Sequence, residues 1–216
     1  MRAHSAAMRA KKAVGRGQSE SGTGVKLIQA AVREFKARGY SGTDTNRIAA
    51  RAGFAPQTFY RHFNDKLAIF VAIYRRWEDE EAAVIASLVE QDAGALALAD
   101  AIVAHHRAYR LFRRSLRQLA VENAVVREAR AQSRLRQIEN TIRLAGTGTK
   151  ETVAPTLFQI ERLADAIAEG EIGDLGLSES IAREALAVLL AELRRPRSRR
   201  AARTAVPSRD RLLPGP

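Results

Sequence analysis

Gln57, Thr58, Tyr60, Arg61, His62 and Lys66 fall within one short stretch, AGFAPQTFYRHFNDK, Ala52 to Lys66, that has almost no aliphatic bulk. An amide, two hydroxyls, a guanidinium, an imidazole and an ammonium in so short a run form a hydrogen-bonding surface. Amide and guanidinium groups match base edges, whereas hydroxyl, imidazole and ammonium groups suit phosphate oxygens.

The remainder of the chain carries no comparable constellation. There is no cysteine, which excludes disulfides, thiolate zinc sites and cysteine nucleophiles. His105 and His106 are adjacent, so on a helix they point about 100° apart and cannot chelate one metal as histidines four apart do. They read as a partly exposed pair. Carboxylates such as Asp79, Glu81, Glu169 and Glu171 stand in charged runs that read as surface, without the desolvated cleft that a general acid or base needs. Residues 67–194 thus yield no catalytic residue, no metal site and no cofactor. Arg107, Arg110, Arg113, Arg114 and Arg117 step mostly by three or four. That basic stripe is either a solvated face paired with acids or the frame of a pocket for an acidic small molecule.

Helices must position the Gln57–Lys66 surface, since no stretch alternates like a strand and the pattern is all-α. Val25, Ile28, Val32 and Phe35 keep a helical spacing that Gly39 ends. Thr43 or Asp44 caps a second short helix bearing Ile48, Ala49 and Ala52, broken by Gly53. Pro56 fits the first turn of a third, running to about Phe63, on which Phe59 and Phe63 point inward. Asn64 is placed to cap a long fourth helix with Phe70, Ile73, Trp77, Val84 and Leu88 along one stripe. Further helices are expected at about 95–111, 112–122, 124–145, 152–169 and 178–194. Two packed helices followed by a polar third follow helix-turn-helix logic.

The run GYSGTDTNRIAARAGFAPQTFYRHFNDKLAIFVAIY resembles the DNA-binding domain of the tetracycline-repressor (TetR) family of one-component bacterial regulators. The resemblance rests on Gly39–Tyr40, the Thr43 start, Ile48–Ala49, Ala52–Gly53, Thr58-Phe59-Tyr60, Phe63 and Lys66. It implies phosphate contacts from Thr58, Tyr60 and Lys66, with His62 near the backbone or a base. Thr45, Asn46, Pro56, Gln57 and Arg61 fall where base or flanking contacts are usual. Ala55 departs from the family, many of whose members have a capping serine there. The resemblance also implies effector binding among the C-terminal helices and dimerisation through the last two. On the last, Ala185, Leu189 and Leu193 share one side, with Leu186 and Leu190 beside them.

The formal charge of +12 fits a polyanionic partner, but the two ends hold most of it. Residues 1–20 carry five Lys/Arg against Glu20, and residues 194–216 carry eight Arg against Asp210. The sequence therefore predicts a disordered basic arm at 1–20 and a helix-turn-helix domain at 21–66. A helical effector-binding and dimerisation domain follows at 67–194, then a disordered Arg/Pro-rich tail at 195–216. With no signal-peptide core and no apolar run near the roughly 18 residues of a span, a cytoplasmic protein is expected. The expected function is a ligand-responsive repressor, a homodimer on palindromic double-stranded DNA with an unknown small-molecule effector. The alternatives are a non-specific architectural DNA binder and a helical enzyme with an appended DNA-binding module.

Overall fold

A computed structural model describes residues 22–146 and 148–194; the arm and tail expected at 1–20 and 195–216 lie outside the described residues. Within them the chain forms ten helices and no strand. These are α1 Gly22–Arg38, α2 Thr45–Arg51, α3 Pro56–His62, α4 Lys66–Glu90, α5 Ala95–Ala108, α6 Arg110–Glu122, α7 Ala124–Ala145, α8 Lys150–Glu169, α9 Glu171–Asp174 and α10 Glu179–Arg194. None is long and apolar enough to cross a membrane.

The reading from sequence places nearly every helix within a turn of its observed bounds, and α9 is the exception. One turn of four residues after Gly170 carries no periodicity to detect. The long helix starts one residue later than expected: Asp65, not Asn64, caps α4, its carboxylate accepting the Ala68 N–H at 2.7 Å. The expected stripe on α4 is also corrected. Val84 is exposed, whereas Glu78 and Glu81 are buried after Trp77, and Ile85 and the expected Leu88 pack partly buried against the apolar cluster that joins α5, α8 and α10.

Two apolar clusters organise the molecule. The first joins α1–α4 to α6 and α7, with Phe35, Phe70 and Phe112 at its centre. The Phe70 and Phe112 rings lie 4.5 Å apart and those of Phe35 and Phe70 5.3 Å apart. All three are fully buried, each contributing roughly 1.5–3 kcal/mol. The second cluster joins α5, α8 and α10 through Leu98, Ile102, Ile160, Ile167, Leu186 and Leu190. Helix α4 spans both.

At the tip of α1 the backbone turns with Gly39 at φ 67°, a conformation that favours glycine. There the Tyr40 N–H donates to Ser115 Oγ of α6 at 2.9 Å. Gly42 is confined differently. A Cβ there would lie 2.3 Å from the Arg38 carbonyl oxygen, so Gly42→Ala is expected to cost roughly 1–3 kcal/mol. Thermal unfolding that matches the parent protein would refute that close approach.

Candidate nucleic-acid interface and internal cavity

The N-terminal head is assembled around one buried carboxylate. Glu34 of α1, 3% exposed, accepts from Thr43 Oγ1 at 2.9 Å and from Arg51 Nε, tying both ends of α2 to α1. Burial raises its carboxyl pKa, but the bonds from Arg51 and Thr43 outweigh burial and leave it lowered. Thr43 is thereby committed. Asp44 is the α2 cap, accepting from the Arg47 N–H at 2.9 Å.

Helix α3 begins at Pro56 after Ala55, which offers no side-chain cap. Phe59 and Phe63 are buried as expected, fixing which face turns outward. Pro56, Gln57, Tyr60 and Arg61 are exposed, and their spacing puts them on one side of the helix. Asn46 is exposed beside them at the start of α2, while Thr45, Thr58 and His62 are half-buried. The Tyr60 hydroxyl meets Thr45 Oγ1 at 2.9 Å, and its ring stands edge-on to Phe59. That bond links the first residue of α2 to α3 across the turn.

Lys66 is the site residue with the most internal contacts. Its Nζ donates to the Tyr40 carbonyl at 2.8 Å and the Thr43 carbonyl at 2.9 Å, and it lies 4.1 Å above the centre of the Tyr40 ring. Burial lowers its pKa. The ammonium thus fastens the Gly39–Asp44 loop to the start of α4.

A second site lies in the C-terminal half, a cavity of about 590 Å³ between α4, α5, α6, α7, α8 and α10. One end is charged, with Trp77, Glu78 and Glu81 of α4, His106 of α5, Arg113 of α6, Arg134 of α7 and Glu161 of α8. The remainder is mainly apolar, with Ile85, Val89, Leu98, Ile102, Leu157 and Leu190, alongside Asn140, Thr141 and Arg143 of α7 and Arg194 of α10.

Several expectations are corrected here. His106 is 3% exposed and not a partly exposed surface residue. Its Nε2 stands 3.1 Å from Glu81 and its Nδ1 2.9 Å from Asp165. Glu81 is likewise buried, so it does not belong to a surface run. The arginine stripe divides: Arg107, Arg110 and Arg114 are exposed, while Arg113 is buried and faces the cavity. Arg113 Nε donates to Asp165 at 2.6 Å, its Nη2 reaches Asp165 and Glu161, and its guanidinium lies 4.6 Å from the centre of the Trp77 ring. Arg117 bonds Asp165 and Glu169, and Arg130 and Arg134 bond Glu161. For Asp165 burial raises the carboxyl pKa, but hydrogen bonds from His106 and Arg113 more than reverse that and hold it far below the usual range.

The last helix is also corrected. Ala182, Leu186 and Leu190 belong to the subunit's own core, and Leu189 and Leu193 pack beside them. Ile181, Ala185 and Val188 form the face turned outward. Among the described residues no cluster of three or more His, Asp or Glu is arranged to hold a metal ion.

The family model for bacterial regulatory proteins of the tetR family matches residues 27–73. Solved structures share the fold over most of the chain. A putative TetR-family regulator from Mesorhizobium loti is 22% identical with a TM-score of 0.60, covering 81% of this chain and 97% of that one. The fatty acid degradation regulator FadR from Bacillus halodurans is 15% identical, with a TM-score of 0.58 and coverage of 80% and 96%. A putative regulator from Saccharomonospora viridis, solved in complex with choline, is 19% identical, with a TM-score of 0.58 and coverage of 77% and 94%. None of the curated proteins matches the chain significantly.

Proposed function

We propose that this chain, a tetR-family transcriptional regulator through its domain at residues 27–73, is a cytoplasmic, ligand-responsive repressor that binds a palindromic operator as a homodimer. The observation that carries the reading is the outward face of α3 within that domain. Gln57 and Arg61 are exposed there, and neither makes a hydrogen bond within the described residues. Both are available to base edges.

In this reading α3 enters the major groove. Gln57 and Arg61 meet bases, with Thr45, Asn46 and Pro56 at flanking positions, and Thr58, Tyr60 and His62 meet the sugar–phosphate backbone. Lys66 has a different part. With its ammonium given to two carbonyls, it positions the loop before α2. Lys66→Met should therefore weaken binding to every duplex about equally while the salt dependence keeps its slope. A slope reduced by about 0.9 would instead restore Lys66 as an ionic phosphate contact.

Symmetric half-sites about 34 Å apart require a two-fold protein. The outward face of α10 at Ile181, Ala185 and Val188 supplies an apolar patch for that contact. The effector site is the cavity, and α6 connects it to the head. One side of α6 brings Arg113 to the cavity; another puts Phe112 against Phe70 and Ser115 against the Tyr40 N–H. A ligand that moves Arg113 displaces the head, provided it prefers the displaced state. DNA must then weaken the ligand by the same factor. Selection of bound duplexes from a random pool by the full chain tests the proposal. It should yield a palindrome with half-sites about one helical turn apart, and a pool without any motif would refute it.

A further inference from the structure

The charged end of the cavity has more donors than acceptors left over. Two of its carboxylates are already occupied: Glu161 accepts from Arg113, Arg130 and Arg134, and Glu78 from Ser133. Glu81 Oε1 lies 3.1 Å from His106 Nε2 without a hydrogen bond, so it is the one acceptor here still to be set against the open donors, which include His106 Nδ1. Arg113 spends Nε and Nη2 on Asp165 and Glu161, which leaves its Nη1 without a bond. Directly beneath it, the buried indole Nε1 of Trp77 has no hydrogen-bond partner. A buried donor without a partner is costly, and a group that supplies an acceptor recovers that cost.

The same arrangement disfavours a cation. An alkylammonium held by an aromatic side chain needs the face of the ring, and the Arg113 guanidinium already covers that face of Trp77. Arg134 stands at the same end and adds repulsion. Away from it, α4, α5, α8 and α10 contribute mainly apolar side chains, with Asn140, Thr141 and Arg143 of α7 and Arg194 of α10 also in the lining. Trp77 and Val89 mark the two ends along α4, which separates them by about 18 Å at 1.5 Å per residue.

We infer that the cavity takes an acyl compound, whose carboxylate or carbonyl head accepts from Arg113 and Trp77 while its apolar body lies along Ile85, Val89, Leu98, Ile102, Leu157 and Leu190. This rests on the reading of the cavity as the effector site and gives that effector a chemical class.

Trp77 is the only tryptophan in the chain, so its emission reports on this cavity without labelling. The full-length protein is titrated below the micellar range with decanoate, decanamide and decyltrimethylammonium, which share a chain length and differ in the head. Decanoate, decanamide or both should change the Trp77 emission saturably, with affinity at least about tenfold above that of the cation, a difference of about 1.4 kcal/mol. The stronger of the first two identifies a charged or a neutral acceptor head. Arg113→Gln should bring the preferred probe down to the level of the cation. Because Arg113 also belongs to the buried ion network, Ala86→Phe provides an independent arm. Its ring fills the apolar section and should abolish binding while circular dichroism retains the helical spectrum. A cation bound as tightly as the acyl probes, or no saturable response to any probe, would overturn the inference. An acyl probe that saturates the Trp77 signal yet leaves DNA affinity unchanged would uphold the ligand class and count against the effector role.

Discussion

Asp165→Ala is expected to lower the melting temperature by roughly 10 °C, the effect of a loss of roughly 3–5 kcal/mol in a protein of this size. The magnitude follows from what the carboxylate leaves behind. Asp165 is 4% exposed and takes bonds from Arg113 and Arg117, with His106 Nδ1 at 2.9 Å. Without it, the guanidinium of Arg113 stays buried beside Trp77 with only Glu161 to balance it. Acid should reveal the same group. An unfolded aspartate titrates near 3.9, and the folded carboxyl is depressed below that. Its contribution is therefore complete above the unfolded value and disappears as the pH falls through the folded one. The gap in melting temperature between the parent protein and Asp165→Asn should narrow as the pH is lowered below about 4. A gap that stays constant with pH would show that Asp165 is not the titrating member of the network.

Gln57→Ala combined with Arg61→Ala is expected to reduce operator affinity by about 10²–10³ while leaving affinity for unrelated DNA within about tenfold. Each good base contact is worth roughly 1–3 kcal/mol of discrimination. Both side chains project from α3 without internal bonds, so their loss should leave the head folded. Competition between operator and unrelated duplexes measures the effect directly. An equal fall for both kinds of DNA would assign these residues to the backbone and move base reading elsewhere.

The head was legible from sequence because its information is local. Pro56 opens α3, Phe59 and Phe63 set its buried face, and Gly39 ends α1 and opens the turn after it, all within a short stretch. The cavity was not legible, because its chemistry comes from pairs far apart in the chain. Arg113 and Asp165, or Ser133 and Glu78, meet only after the helices have packed. A helical stripe tells which residues lie together on one helix, and it says nothing about which charged residue finds a partner inside. Two signals did exist. Asp165 stands alone within the buried run Ala164–Ala168, and Glu34 shares the inward face of α1 with Leu27, Ala31 and Phe35. A single acid on an otherwise apolar face is a request for a buried partner, and reading it so would have pointed to Arg51 and to the arginines of α6. The internal contacts of Lys66 were hidden for a similar reason. Its position matches a phosphate contact by resemblance, but the carbonyls of Tyr40 and Thr43 that receive its ammonium belong to a loop whose course the sequence does not reveal.

The central claim is that this chain reads DNA sequence through α3, and the ratio of two affinities tests it most directly. The full-length protein is measured at near-physiological salt against its selected palindromic duplex and against a scrambled duplex of equal length and composition. A ratio of about 10³ or more is predicted. A ratio near one, with both affinities falling steeply and alike as salt is raised, would contradict the claim and leave only the electrostatic attraction of a basic protein for a polyanion.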